Sequence, residues 1–402
     1  VLFSFSLKYL KNKYRRFQVK MNVFLGVGLG PIQTGIFLSG AARGGFERIV
    51  IAEVDDKLKD AVNSSEGKIS INIAGQDKVY QEEIPGLEVY NPQNEEELSS
   101  LIEAASVADE IATALPSVDF FKYIAPWLKK GFEISPAKRR FIYTAENNNH
   151  AAEILQESIG DGFPNTFYLN TVVGKMSGVV SSDECDASSL APLCDSAGRG
   201  HLVEEFNRIF ISSAPGIEER KVQGLYDKPD LYPFEEAKLY GHNAIHFLLG
   251  FLGKREGCEY MSDLKERSEL MDFARSAFID ESGVALCSKW KGVDELFTPS
   301  GFKFYAEDLL VRMTNPFLKD GIDRITRDLP RKLAWDDRSV GAMRVALSQG
   351  VTPVKISSGA ALAAAELFGN DCDSIRKGFE SLWPTPWTDE HKNILDLILK
   401  SF

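Results

Sequence analysis

The sequence predicts an α/β chain, with a doubly wound, mainly parallel sheet in its N-terminal part and a mostly α-helical C-terminal part. Three observations carry this. Short β-branched runs alternate with helix-patterned segments as far as residue 230. A glycine-rich turn, Gly26-Val27-Gly28-Leu29-Gly30, separates the first run from the first helix. Beyond Leu231 one helical period follows another with no clear strand. A chain of 402 residues is long for one core, so two domains are expected, 21–230 and 231–402, behind a basic extension over 1–20.

The elements read in order as follows. An apolar run over 21–26 leads through the glycine turn into a helix from Ile32. A second run, 48–54, ends in Glu53, Asp55 and Asp56, and 57–63 is helical. Segments 68–73 and 77–85 alternate and form a strand pair, an excursion from a plain βαβ repeat. Asn94 caps a helix over 94–105 whose first turn is acidic. A strand over 107–114 is broken by Pro116, and an amphipathic helix covers 119–130. Strand 140–144, helix 150–159 and strand 166–173 continue the alternation. The small, polar stretch 181–200 reads as a loop, and 206–213 as a further strand. Helices then follow at 234–252, 261–278, 304–313, 318–326, 338–349, 357–367, 373–382 and 389–400.

Composition narrows the function classes. A net charge of −12 argues against nucleic acid as a partner. No stretch approaches the ~20 apolar residues of a membrane span. The five cysteines are scattered without a CxxC, so neither a disulfide framework nor a zinc site is indicated, and no metal is expected. Residues 1–20 hold six basic residues and no acidic one. They read either as an organelle presequence or as residues preceding a start at Met21. The expected location is cytoplasmic, or an organelle under the first alternative.

The glycine turn is the first chemical signal. Strand, GxG and helix let the backbone approach a pyrophosphate, whose charge sits at the helix N-terminus. Glu53 ends the next strand 27 residues after Gly26, where a carboxylate accepts the ribose hydroxyls of NAD and repels the 2′-phosphate of NADP. Asp55 and Asp56 add to that bias, and no Arg adjoins Glu53 in the sequence. The alternative is a tight turn beside a solvated acidic strand end. Gly26, Gly28, Gly30 and Glu53, with Thr113 and Ala114 at a later strand end, are the cofactor candidates. Asn147, beyond the strand at 140–144, reads either as a donor to an alkoxide or as a helix cap.

The second signal is the helix FEEAKLYGHNAIHFLLG over 234–250. With Lys238 at zero and ~100° per residue, Glu235 falls at ~60°, His246 at ~80° and Asn243 at ~140°. His242 shares that face. A desolvated Lys can take a hydroxyl proton if burial brings its pKa toward neutrality, and Asn carboxamides can hold the oxyanion. The alternative is a surface Lys with an i−3 Glu partner. A third signal is the basic run Lys319, Arg324, Arg327, Arg331, Lys332 and Arg338, preceded by Arg312. It suits a substrate phosphate or carboxylate, against the alternative of a surface balanced by Asp320, Asp323, Asp328, Asp336 and Asp337.

Together these pieces resemble a family. Lys238-x4-Asn243-x2-His246 is similar to the signature of the polyol-specific long-chain dehydrogenases. With YTAENN at 143–148 and NPFLKD at 315–320, the chain most resembles their mannitol-1-phosphate 5-dehydrogenase branch. The resemblance runs from Met21 onward. It implies an N-terminal Rossmann-type domain, a helical substrate domain, and metal-independent, NAD-dependent hydride transfer between mannitol 1-phosphate and fructose 6-phosphate in the cleft between them. Lys238 would be the general acid/base, Asn147 and Asn243 the oxyanion hole, and His246 the group that positions substrate. Arg324, Arg327, Arg331 and Lys332 would meet the phosphate. Departures are Pro31 in place of a third glycine, Asn170 in place of an acid, and Lys175-Met176 in place of an acidic–basic pair. The relay glutamate is Glu235 by helix geometry or Glu236 by the spacing of the phosphate branch. The alternatives are a ketouronate reductase, an unphosphorylated polyol dehydrogenase, and a non-catalytic NAD-binding protein. The expected assembly is a monomer or homodimer, with a small-molecule substrate.

Overall fold

The computed structural model of the protein describes residues 21–402, so the basic extension over 1–20 lies outside the described residues. The chain divides into two compact units. The first comprises the described chain through Ile73 and then Val79–Pro229, and the second Ala74–Lys78 and Asp230–Phe402.

In the first unit, β1 (Val23–Val27) leads into α1 (31–44), β2 (Arg48–Ala52) and α2 (Asp56–Ser64). Then come β3 (Ile69–Ala74), β4 (Val79–Ile84), β5 (Leu87–Tyr90), α3 (Glu95–Val107) and β6 (Glu110–Thr113). Next are α4 (Phe121–Ile134), β7 (Arg140–Thr144), α5 (Ala151–Ile159) and β8 (Thr166–Val172). Last are β9 (Ser177–Ser181), α6 (Ser182–Ser188), β10 (Arg199–Glu204), β11 (Ile209–Ser212) and β12 (Leu225–Lys228).

The main sheet has eight strands in the order β12-β11-β8-β7-β6-β1-β2-β5. From β5 to β8 every neighbour is parallel, and β11 turns antiparallel to β8. Central β1 is buried along its whole length, which is why it reads as a continuous apolar run. Helices cover both faces, giving two cores, one around Phe24, Phe37 and Ile51 and one around Leu25, Leu128 and Phe132. The strand order reverses direction at β1, with β2 on one side and β6 on the other, so their carboxyl ends form the switch point where such sheets bind ligands.

The expected strand pair at 68–85 exists as β3 and β4, neighbours in a separate four-stranded sheet, β4-β3-β10-β9. The stretch 181–200 is not all loop. Ser181 and Glu184 form a capping box that starts α6. Only Cys185 of α6 is buried, so there was no apolar period to read. Strands β5, β9, β10 and β12 also went unread; β9 and β12 leave most of their side chains unburied and so carry no apolar run, and β10 begins inside the stretch read as loop.

The second unit is helical, with an isolated bridge between Tyr260 and Gly321. Its central helix α7 (232–255) contains Ile245, Phe247, Leu248, Leu249, Phe251 and Leu252, all nearly fully buried. Each such side chain contributes roughly 1.5–3 kcal/mol by leaving water. Around it lie α8 (268–289), α9 (Pro299–Met313), α10 (Ile322–Thr326), α11 (Leu329–Lys332) and α12 (Arg338–Ser348). Then follow α13 (Val354–Phe368), α14 (Cys372–Leu382) and α15 (Asp389–Lys400). Helix α10 packs so closely on α7 that a Cβ at Gly250 would stand 2.5 Å from Ile325. Helix α8 continues through 289, beyond the sequence expectation of 278, by way of a π segment, Ala277–Gly283. Among the described residues no helix is long and apolar enough to cross a membrane.

Candidate active site

The glycine turn joins β1 to α1 at the switch point. Gly28 has φ +87°, and a Cβ there would meet the Ala114 carbonyl at 3.0 Å, so the position needs glycine. The Gly28 N–H donates to the Ala52 carbonyl (2.8 Å) and the Ala114 N–H to the Val27 carbonyl (3.0 Å). These bonds tie the turn to β2 and to the loop after β6. Glu53 accepts from the Leu29 N–H at 2.8 Å and from the Asp55 N–H at 2.9 Å. Its carboxylate is thereby fixed against the turn.

A dinucleotide fits these residues. Around Gly30 there is open space, with no heavy atom within 4 Å of where a Cβ would be. The N–H groups of a first helical turn have no intrahelical partner, so those of Gly30 and Ile32 would be the donors to a phosphate bound there. Pro31 has no N–H to lose.

Thr113 and Ala114 lie at the end of β6, close to this turn. The Thr113 hydroxyl donates to Glu146 Oε2 at 2.9 Å, and the Leu115 N–H to Glu146 Oε1 at 2.8 Å. Glu146 is 4% exposed. Burial pushes its carboxyl up, against the pull of those two donors. It braces the loop after β6 from the end of β7, a role the sequence reading did not assign. Asn147 follows, exposed, and does not cap α5, whose cap position is His150. Asn170 accepts from the Ala152 N–H at 2.9 Å and donates to Glu153 at 2.9 Å, tying β8 to α5.

In the second unit, α7 carries a π segment over Ala237–Asn243, flanked by α-helix on both sides. Such widened turns are frequent at functional sites. Lys238 lies in it, half-buried by exposed area but with its amine deep among protein atoms. Burial, then the charge of Arg338, pushes that amine down to about 8, with Glu235 pulling the other way. The two glutamates separate in role. Glu236 is 4% exposed and accepts from Lys289 Nζ at 2.7 Å and Trp290 Nε1 at 2.8 Å. It anchors α7 to α8, while Glu235 is the carboxylate that acts on Lys238.

Asn243 is half-buried at the end of the π segment. His246 Nε2 stands 3.0 Å from Asp320 Oδ2, and Arg324 Nε donates to Asp320 Oδ1 at 2.7 Å. The His246–Asp320 contact has ion-pair distance without hydrogen-bond alignment. Burial raises the Asp320 carboxyl, but His246 and Arg324 outweigh it and hold it low. The rival His242 is buried, and burial together with the charge of His246 pushes it well below its ordinary range.

The basic segment is largely balanced by its own carboxylates. Arg324 pairs with Asp320, and Arg331 with Asp328 and Asp337. Lys332 is 5% exposed and donates to the Ile325 carbonyl at 2.6 Å. Burial, then Arg338, pushes its amine down to about 8. Arg327 is exposed. Arg338, at the start of α12, donates from Nε to Asp337 at 2.8 Å and lies in electrostatic reach of Lys238, His242 and Lys332. The sequence shows it only as one cation among several.

Residues 230–378 match the mannitol dehydrogenase C-terminal domain, the class of protein to which this helical unit is similar. Among curated relatives, the mannitol-1-phosphate 5-dehydrogenase of Paenarthrobacter aurescens is 27% identical over 367 residues, covering 88% of each chain. The enzyme of the same name from Thermoanaerobacter pseudethanolicus is 26% identical over 85% of this chain and 84% of its own. Among solved structures, substrate-free D-sorbitol dehydrogenase superposes with a TM-score of 0.70 at 15% identity, covering 96% of this chain and 94% of that one. Pseudomonas fluorescens mannitol 2-dehydrogenase, solved with NAD and D-mannitol, superposes with a TM-score of 0.62 at 13% identity over 94% and 84%. The last two establish the fold.

Proposed function

We propose that the chain is an NAD-dependent polyol dehydrogenase that interconverts mannitol 1-phosphate and fructose 6-phosphate. The observation that carries the enzymatic reading is Lys238, an amine brought to about 8 by burial on a helix that matches the mannitol dehydrogenase domain. The names of the distant relatives support the substrate. A bound nicotinamide supplies the hydride acceptor. Gly26 lies in β1, just before the turn that Gly28 and Gly30 shape; Glu53 takes the ribose, and Thr113 and Ala114 back the turn. Lys238 accepts the hydroxyl proton in oxidation and returns it in reduction, with Glu235 passing it to water. Asn243, and Asn147 of the first unit, are the oxyanion donors, and His246 orients the substrate through its contact with Asp320. Arg324, Arg327, Arg331 and Lys332 are the candidate phosphate contacts. A depressed amine among such groups argues against a non-catalytic NAD-binding protein.

A second reading has its own observation. Arg324 and Arg331 already pair with Asp320, Asp328 and Asp337, which favours a neutral polyol over a phosphorylated one. Purified protein assayed with NADH against fructose 6-phosphate, fructose and a ketouronate decides between them. Turnover of the phosphorylated ketose at least tenfold above the others is expected; preference for fructose or the ketouronate overturns the phosphate assignment. We read the assembly as a monomer or homodimer, which sedimentation velocity measures directly.

A further inference from the structure

The sequence shows no Arg next to Glu53, but the fold brings one. Arg199 opens β10, 144 residues from Asp55, and its guanidinium pairs with Asp55 Oδ2. Asp55 is in turn bonded to the cofactor carboxylate, since its N–H donates to Glu53 Oε1 at 2.9 Å. The other Asp55 oxygen caps α2, accepting from the Lys57 N–H at 3.1 Å and the Leu58 N–H at 3.3 Å. Asp55 therefore does two separable things: Oδ1 holds the helix and Oδ2 occupies the arginine. Both side chains of the pair remain partly exposed, at 32% for Arg199 and 40% for Asp55.

We propose that Asp55 is a specificity-determining residue: by pairing Arg199 it withholds from the 2′-phosphate of NADPH a guanidinium that stands beside the ribose-binding carboxylate. This rests on the reading of the glycine turn as a dinucleotide site. The physical ground is charge. With Asp55 ionised, the Arg199–Asp55 pair is neutral and Glu53 leaves a net negative end, which repels a phosphate. Without the Asp55 charge, Arg199 offsets Glu53 and offers a planar, multidentate phosphate ligand.

The variant that separates the two roles is Asp55→Asn, because Asn caps a helix about as well as Asp. Direct fluorescence titration with NADH and NADPH gives the ratio of the two dissociation constants without any substrate. In Asp55→Asn the preference for NADH over NADPH should fall at least tenfold. Adding Arg199→Ala to that variant should restore the wild-type ratio to within about threefold, the reversal that identifies Arg199 as the ligand. The gain in NADPH affinity should also shrink as salt is raised. A ratio in Asp55→Asn within threefold of wild type, or a fall that Arg199→Ala leaves in place, overturns the proposal. If Asp55→Asn fails to fold, Asp55→Ser keeps a capping oxygen and carries the same test. Absence of NADH binding by the wild-type protein would overturn the cofactor reading and this inference with it. NADH binding with unaltered selectivity in the variants would overturn the inference alone.

Discussion

At the glycine turn of the first unit, Glu53 meets two backbone N–H groups at 2.8 and 2.9 Å, and Gly28 is held to β2 by a third bond at 2.8 Å. On α7 of the second unit, the Lys238 amine is held down first by burial and then by the charge of Arg338, with Glu235 as a weaker counterweight. The first region lowers its energy by satisfying polar groups. The second holds a cation at a cost, because desolvation and a like charge both disfavour the ammonium form. On the proposed function, the contrast is between a relaxed, hydrogen-bonded frame for binding and an unrelaxed group for proton transfer. A buried, depressed amine is what a general base near neutral pH requires.

The sharpest way to break this comparison is Lys238→Ala. Turnover should fall about a thousandfold, within the usual range for losing a general base. NADH affinity, set in the other unit, should stay near the wild-type value in a titration. Surviving turnover would remove Lys238 from the mechanism.

The pH profile comes next. Polyol oxidation needs the neutral amine, so its rate should rise with pH and level off above about 8, while ketose reduction should fall over the same span. The sign for stability is related. The unfolded lysine holds its proton to a higher pH than the folded one, so unfolding free energy from this group rises as pH goes from about 8 to the ordinary lysine value of 10.5. Lys238→Met should flatten both curves.

Removing the frame should have a smaller, different effect. Glu53→Ala strands the Leu29 and Asp55 N–H groups, and loss of about 1–3 kcal/mol in urea unfolding is expected. NADH affinity should drop about tenfold, roughly the 1.4 kcal/mol of one good polar contact. Loss of stability without loss of affinity would detach Glu53 from the ribose.

The smallest effect separates the two glutamates of α7. Glu236→Gln weakens the bonds from Lys289 and Trp290 and should cost about 1–2 kcal/mol of stability. Glu235→Gln should instead slow a proton-limited step, read as a larger solvent isotope effect at little cost in melting temperature. The reverse pattern would move the relay to Glu236.

Much of the fold was legible because its signals are local. The continuous burial of β1, the capped helix at Asn94 and the glycine turn each declare themselves within a few residues. Strands β5, β9, β10 and β12 were not legible; length does not explain this, since four-residue β6 and β11 were read, but β9 and β12 bury few of their side chains and so show no apolar run. For the candidate site, Glu235, Lys238, Asn243 and His246 stood out as polar groups within one helical stretch, but the π segment over Ala237–Asn243 departs from the 3.6-residue turn on which their shared face depends. The partners of those residues were not legible. Nothing near His246 announces Asp320, and nothing near Asp55 announces Arg199.

By itself, then, the sequence determined the alternation of strand and helix and the change to helix after residue 230, but not the π segment that re-aims the side chains of α7. Only the tertiary structure decided which carboxylates are already occupied, which amines are desolvated, and that Glu236 is an anchor. The physical reason is range. Backbone periods and turn conformations are set by neighbours in the chain. Desolvation and ion pairing are set by whatever the fold brings within a few ångströms, here from as far as 144 residues away.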